Sequence, residues 1–76
     1  MKLVEQSRTL LVDNQDYRAY AELISLIDNH DNKIYNLKFK TVEIVKSEPM
    51  QEELKFEMFL SAQDLTRLKG ILRSLD

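Results

Sequence analysis

From Ser61 onward the chain repeats leucines at helical spacing. Leu65, Leu68, Leu72 and Leu75 recur with Ile71 beside them, while Gln63, Thr66, Arg67, Lys69 and Arg73 are polar. That period predicts an amphipathic helix. Ser61-Ala62-Gln63-Asp64 supplies an N-cap with an acid three residues on, close to a capping box. Arg73 suits the negative end of the helix dipole. The single exposed glycine, Gly70, costs about 1 kcal/mol against alanine.

Upstream the period changes to two. In 50–60, Leu54, Phe56, Met58 and Leu60 alternate with Glu53, Lys55 and Glu57, with Phe59 as the exception. In 33–46, Tyr35, Leu37, Phe39 and Thr41 alternate with Asn36, Lys38 and Lys40. Alternation with aromatic and β-branched residues predicts half-buried strands. Folded about Ser47-Glu48-Pro49-Met50, the two form a hairpin that sets Thr41 opposite Phe56, Phe39 opposite Met58, Leu37 opposite Leu60 and Lys40 opposite Glu57. Apolar residues and opposite charges then meet across the strands, as cross-strand energetics favour.

Segment 17–27 admits two readings. Tyr17, Tyr20, Ala21, Ile24 and Ile27 would share one helix face, with Arg18 and Glu22 as an i,i+4 pair. As a strand, its odd positions are all uncharged, and a hairpin about His30 pairs Leu23 with Leu37, Ala21 with Phe39 and Ser25 with Tyr35. The opposite face then pairs Glu22 with Lys38 and Tyr20 with Lys40. Agreement on two faces is harder to meet by accident than one stripe, so the strand is preferred. Segment 2–12 follows less cleanly, with Val12 opposite Tyr17 and Leu10 opposite Ala19. Polar clusters at 13–16 and 28–32 make the turns, because Asp and Asn bond their own backbone. The fold class is α+β: a four-stranded antiparallel meander with one C-terminal helix packed on one face. The alternative is β-α-β-β-α. Leu68 and Leu72 are the helix's expected central contacts on Phe39, Phe56 and Met58.

Seventy-six residues allow one domain, residues 1–76. Its core must be marginal, since a chain this short buries only ~60 % of the surface its unfolded form exposes. Eleven basic against thirteen acidic residues leave a net charge of −2, without the like-charge blocks of a polybasic arm or an acidic tail. With no cysteine, thiol chemistry and disulfides are excluded. Glu5, Gln6, Ser7 and Arg8 interrupt any leader-like apolar run after Met1. Apolar runs of four or five residues fall far short of the roughly 20 that span a bilayer. A cytoplasmic protein is expected.

Catalysis finds no foothold. His30, the only histidine, lies among Asp28, Asn29, Asp31 and Asn32, where a solvated turn residue is the plainer reading. A calcium loop starting at Asp28 fails, with His30, Lys33 and Phe39 at its third, sixth and twelfth positions. No serine has a nucleophile-elbow context, and one glycine cannot build a phosphate loop. Glu52 and Glu53 are neighbours in sequence and so point to opposite faces. No enzyme, metal or cofactor is expected.

Binding remains. If the helix covers one sheet face, the other carries Arg18, Tyr20, Glu22, Lys38, Lys40, Lys55, Glu57 and Phe59. Cations between aromatic rings suit a single-stranded nucleic-acid platform; a solvated face whose lysines pair with Glu22 and Glu57 is the preferred reading. At one end that face turns aliphatic, with Leu3 beside Leu26, Leu26 beside Ile34, and Ile24 nearby. Large aliphatics clustered on a charged face mark an interface. It is expected to close a two-fold homodimer, with a partner protein that covers the same patch as the rival.

The strand-to-helix junction, Phe59-Leu60-Ser61-Ala62-Gln63-Asp64-Leu65-Thr66-Arg67-Leu68-Lys69, following four strands, resembles the positive cofactor four family of transcriptional coactivators. The resemblance covers about the last 15 residues and the inferred architecture. It implies a small dimer that binds single-stranded DNA across its sheet. The glutamates on the open face and the acidic balance depart from that family's basic strands. The leading expectation is therefore a non-enzymatic homodimer that binds or blocks a partner protein, by analogy with small inhibitors from phages and mobile elements. Single-stranded nucleic-acid binding is second, and a metabolite-sequestering oligomer a distant third.

Overall fold

A computed structural model describes residues 1–75. Strands β1 (Lys2–Asp13), β2 (Tyr17–Ile27) and β3 (Lys33–Val45) are followed by the two-residue β4 (Glu48–Pro49), by β5 (Glu53–Ser61) and by helix α1 (Ala62–Arg73). All pairings are antiparallel, β1 beside β2 and β2 beside β3, while β4 and β5 pair in succession with β3. The fold is thus an antiparallel sheet with one C-terminal helix. Segment 17–27 is a strand.

Each turn has a local cause. Asn14 Oδ1 accepts from the amides of Asp16 and Tyr17, both at 2.9 Å, and closes the first. Asp28 Oδ1 does the same for His30 (2.8 Å) and Asn32 (2.9 Å). These bonds hold the Asp28 carboxyl below its ordinary range, the Asn32 amide first. At the helix start, Ser61 Oγ accepts from the Asp64 amide (3.1 Å) while Asp64 Oδ2 accepts from the Ser61 amide (3.0 Å). The expected capping box is complete.

The β2–β3 register matches the expected one along its length, from Tyr20↔Lys40 to Leu26↔Ile34. The last hairpin differs. Its turn is the pair Lys46–Ser47, not the residues around Pro49, and β5 lies two residues away from the expected register: Phe39 faces Phe56, Leu37 faces Met58, and Lys38 faces Glu57. Lys55 is skipped in the pairing, so Leu54 faces Lys40 and leaves the Phe56 side of the sheet. On β1 the expected pairs Leu10–Ala19 and Val12–Tyr17 are not formed: the register shifts at Val4 and Leu11, which sets Leu10 opposite Tyr20 and Val12 opposite Ala19. Such one-residue bulges increase the local twist and blunt an edge strand against stray pairing.

Alternation then sorts the side chains onto two faces. One is uncharged at its centre, with rows Thr9–Ala21–Phe39–Phe56 and Ser7–Leu23–Leu37–Met58 crossing all four long strands. The other carries the row Arg8–Glu22–Lys38–Glu57. Helix α1 packs chiefly on β5 and β3. Along β5 only Met58 and Leu60 are half-buried, while Phe59 between them is 62 % exposed. Leu65 and Leu68 are half-buried, but Leu72 is 60 % exposed, so its expected place over Phe39 and Phe56 is not taken.

Among the described residues no apolar side chain is fully buried; the buried residues are Glu22, Ser25 and Asn36. The molecule measures 49 × 33 × 16 Å. Its radius of gyration is 14.9 Å, where a compact chain of this length has about 11 Å. Its accessible surface is 6087 Å², against roughly 4,900 Å² expected for a compact monomer of 9.0 kDa. It is a slab with two open faces.

Lys46 and Ser47 both hold positive φ, 52° and 67°. A two-residue hairpin turn of this kind favours Asn-Gly, because side chains with a branched or long stem strain the left-handed region. Replacing the pair by Lys46→Asn with Ser47→Gly should raise stability by about 1 kcal/mol. Urea unfolding at one fixed protein concentration reads this, and an unchanged or lowered midpoint would show that the turn is not formed as described.

Candidate interaction surface

Glu22 sits in β2 between two cation-bearing strands, with its side chain only 9 % exposed. Lys40 Nζ reaches Glu22 Oε1 at 2.8 Å, and Arg8 bonds Glu22 Oε2 from β1. Lys40 first and Arg8 second hold the Glu22 carboxyl below the usual carboxylate range, against the opposing effect of burial. Arg8 also bonds Glu52, just before β5, and its guanidinium lies 4.0 Å over the Tyr20 ring. In a flat sheet three strand spacings, ~14 Å, would separate β1 from β5. The Arg8–Glu52 bond spans them over Tyr20, so the sheet curls toward this face.

The other expected nucleic-acid residues are occupied in the same manner. Lys38 Nζ is 3.7 Å from Glu57, Arg18 Nε is 3.2 Å from Asp13, and Lys55 Nζ is 2.7 Å from Glu53 at the bulge of β5. Arg18, Tyr20, Lys38 and Lys40 do share one face, whereas Lys55 stands apart from the register. Phe59 falls in the row Gln6–Ile24–Asn36–Phe59, next to the aliphatic end and away from the cations. Phosphates approaching this face would meet cations already held by carboxylates.

Leu3, Leu26 and Ile34 form one cross-strand row, and Ile24 lies in the row beside it. The four expected interface residues are thus contiguous, with Phe59 at their border. Between Ile24 and Phe59 in the same row, Asn36 is 4 % exposed. Its Nδ2 donates to Glu57 at 3.1 Å, joining the aliphatic end to the ion-paired centre.

Three residues of this surface escape the sequence reading: Arg8, Glu52 and Asn36. The place of Arg8 depends on the Val4 bulge, and its bond to Glu52 depends on the curl. Neither has a periodic signature. Asn36 could have been found, because its row is otherwise apolar in β2 and β5.

Glu22 has its carboxyl lowered in the folded chain, so its contribution to stability is complete above the unfolded carboxylate range and falls away as pH drops through the lowered value. Glu22→Gln should therefore lower the melting temperature at pH 7 and flatten the acid limb below about pH 5. Thermal melts of both proteins from neutral to acid pH test this. A parallel pair of curves would mean that Glu22 is not the group being titrated.

No family model matches the chain, and no curated protein or solved structure matches it either.

Proposed function

We propose that this chain is a small non-enzymatic, cytoplasmic binding protein that acts as a homodimer and works by occupying and thereby blocking a partner protein. Its scaffold in this reading is the four-stranded meander with α1 over one face. The phage or mobile-element inhibitors offer the nearest analogy in size and plainness. The observation that carries the reading is the missing core: no described apolar side chain is fully buried, and the surface exceeds that of a compact monomer by roughly 1,200 Å². An excess of that size is more than the roughly 800 Å² that a standard protein contact removes from each partner, and it matches the half-interface of an obligate homodimer.

Leu3, Ile24, Leu26 and Ile34 are the surface we assign to the partner protein, with Phe59 as an exposed aromatic at its rim. Aromatic and aliphatic side chains beside a hydrogen-bonded asparagine suit a protein contact better than a nucleic acid. Single-stranded nucleic-acid binding, as in the coactivator family the junction resembles, is the second reading. It ranks lower because Arg8, Arg18, Lys38, Lys40 and Lys55 each face a carboxylate.

Sedimentation equilibrium should give twice the chain mass of 9.0 kDa at micromolar concentration. A cooperatively melting monomer at the highest attainable concentration would overturn the homodimer. Labelled single-stranded oligonucleotides at ~50 mM salt should show no binding, since phosphate contacts are strongest there; tight binding that collapses with added salt would put the nucleic-acid reading first. Ile34 is half-buried on the outer row, so Ile34→Asp should fold and lose the partner protein.

A further inference from the structure

Two apolar surfaces of this chain have no counterpart within it. The first is the uncharged face around Phe39 and Phe56, whose rings lie 6.0 Å apart. Phe56 is 46 % exposed, and along β5 only Met58 and Leu60 are half-buried. The second is the last half of α1. Ile71, Leu72 and Leu75 lie 60–69 % exposed, although they continue the stripe of half-buried Leu65 and Leu68. An amphipathic helix and an apolar sheet face are each other's ordinary partners. Here they do not meet.

We propose that they meet between two copies: the C-terminal half of α1 from each chain lies on the Phe39–Phe56 region of the other. This rests on the homodimer reading above and specifies how the dimer closes. Three observations favour a second copy as the occupant. Both complementary surfaces belong to one chain, so a two-fold axis satisfies both at once and leaves neither over. Removing the roughly 1,200 Å² excess from each chain gives about 2,400 Å² of total interface, within the range of obligate homodimers. The rims agree in sign, since Lys69 and Arg73 flank the helix stripe while Glu43 borders the open end of the uncharged face, beside the Glu53 carboxylate that already holds Lys55. The exchange uses the face opposite Leu3, Leu26 and Ile34, which stay outside for the partner protein.

The chain has no cysteine, so single thiols can report the contact. Phe56→Cys and Leu72→Cys chains, mixed and allowed to exchange, are treated with a short bismaleimide. The expected result is a covalent pair joining one chain of each kind, in several-fold excess over the products of either variant alone. A Phe56→Cys, Leu72→Cys double variant, made as a mixture of isotopically heavy and light chains, should give heavy–light linked peptides. Linkage confined to single chains would show that α1 closes on its own sheet and would overturn the exchange. So would Phe56–Phe56 linkage that the mixture does not exceed, which means the sheet faces meet directly. Leu72→Glu, at an exposed site of the single chain, should weaken dimerisation at least tenfold, whereas Ile34→Asp should leave it unchanged. The reverse pattern would move the dimer to the aliphatic end while keeping the homodimer. Wild-type protein that sediments as a monomer would instead overturn the homodimer itself.

Discussion

A single layer of four long antiparallel strands has two faces, and a helix of 12 residues cannot seal either of them. Such a helix is ~18 Å long and ~10 Å wide, while a strand of 13 residues such as β3 extends ~43 Å. Covering one face of four such strands, ~19 Å across, would take about four helices of this size. The consequence is visible in what is buried. Among the described residues the buried side chains are a glutamate, a serine and an asparagine, Glu22 and Asn36 hydrogen-bonded to neighbouring strands, with no apolar residue among them. Many large apolar side chains, Leu10, Leu54, Phe56 and Leu72 among them, still face water within one chain.

The ion-paired face answers that shortage in part. Glu22 between Lys40 and Arg8 is a nearly dry charge with both neighbours supplied. Breaking such an arrangement costs more than making it gains, because a lone partner would be left desolvated. Its value is therefore in specificity. A one-residue slip of β1 would carry Arg8 to the uncharged face and strand Glu22. The bulges at Val4 and Leu11 keep that from happening while letting a strand of imperfect alternation follow β2 along its length. The same bonds bend the sheet until Arg8 reaches Glu52, so register and curvature are two results of one network.

Where two independent patterns constrained one element, the sequence was readable. In β2 and β3, leucines on one face and the Glu22–Lys38 and Tyr20–Lys40 pairs on the other admit one register. The capping box of Ser61 and Asp64 marked the helix start without any tertiary information. The last hairpin misled because Lys46 and Ser47 take left-handed conformations that such residues seldom adopt, while the nearby proline looked like the natural turn. Leu54 changed faces because Lys55 drops out of the ladder, an event with no signature in composition or period. The reach of Arg8 to Glu52 depends on curvature, which no local pattern encodes. For the helix, periodicity gave the stripe correctly but could not say where the stripe would land.

That last gap and the missing core have one physical cause. Leu72 was expected over Phe39 and Phe56 because the stripe and the face are complementary in size and polarity, and the complementarity stands even though α1 diverges before reaching them. A chain that leaves two matching surfaces open is under a constraint that a second copy relieves without any new sequence feature. Closing on the uncharged face also explains the uneven use of charge. The residues facing outward in such a dimer are those already neutralised in pairs, so the exposed aliphatic row of Leu3, Leu26 and Ile34 stands out against a background with little unspent charge. A partner selected by shape and apolar contact, more than by long-range attraction, is what such a surface would recognise.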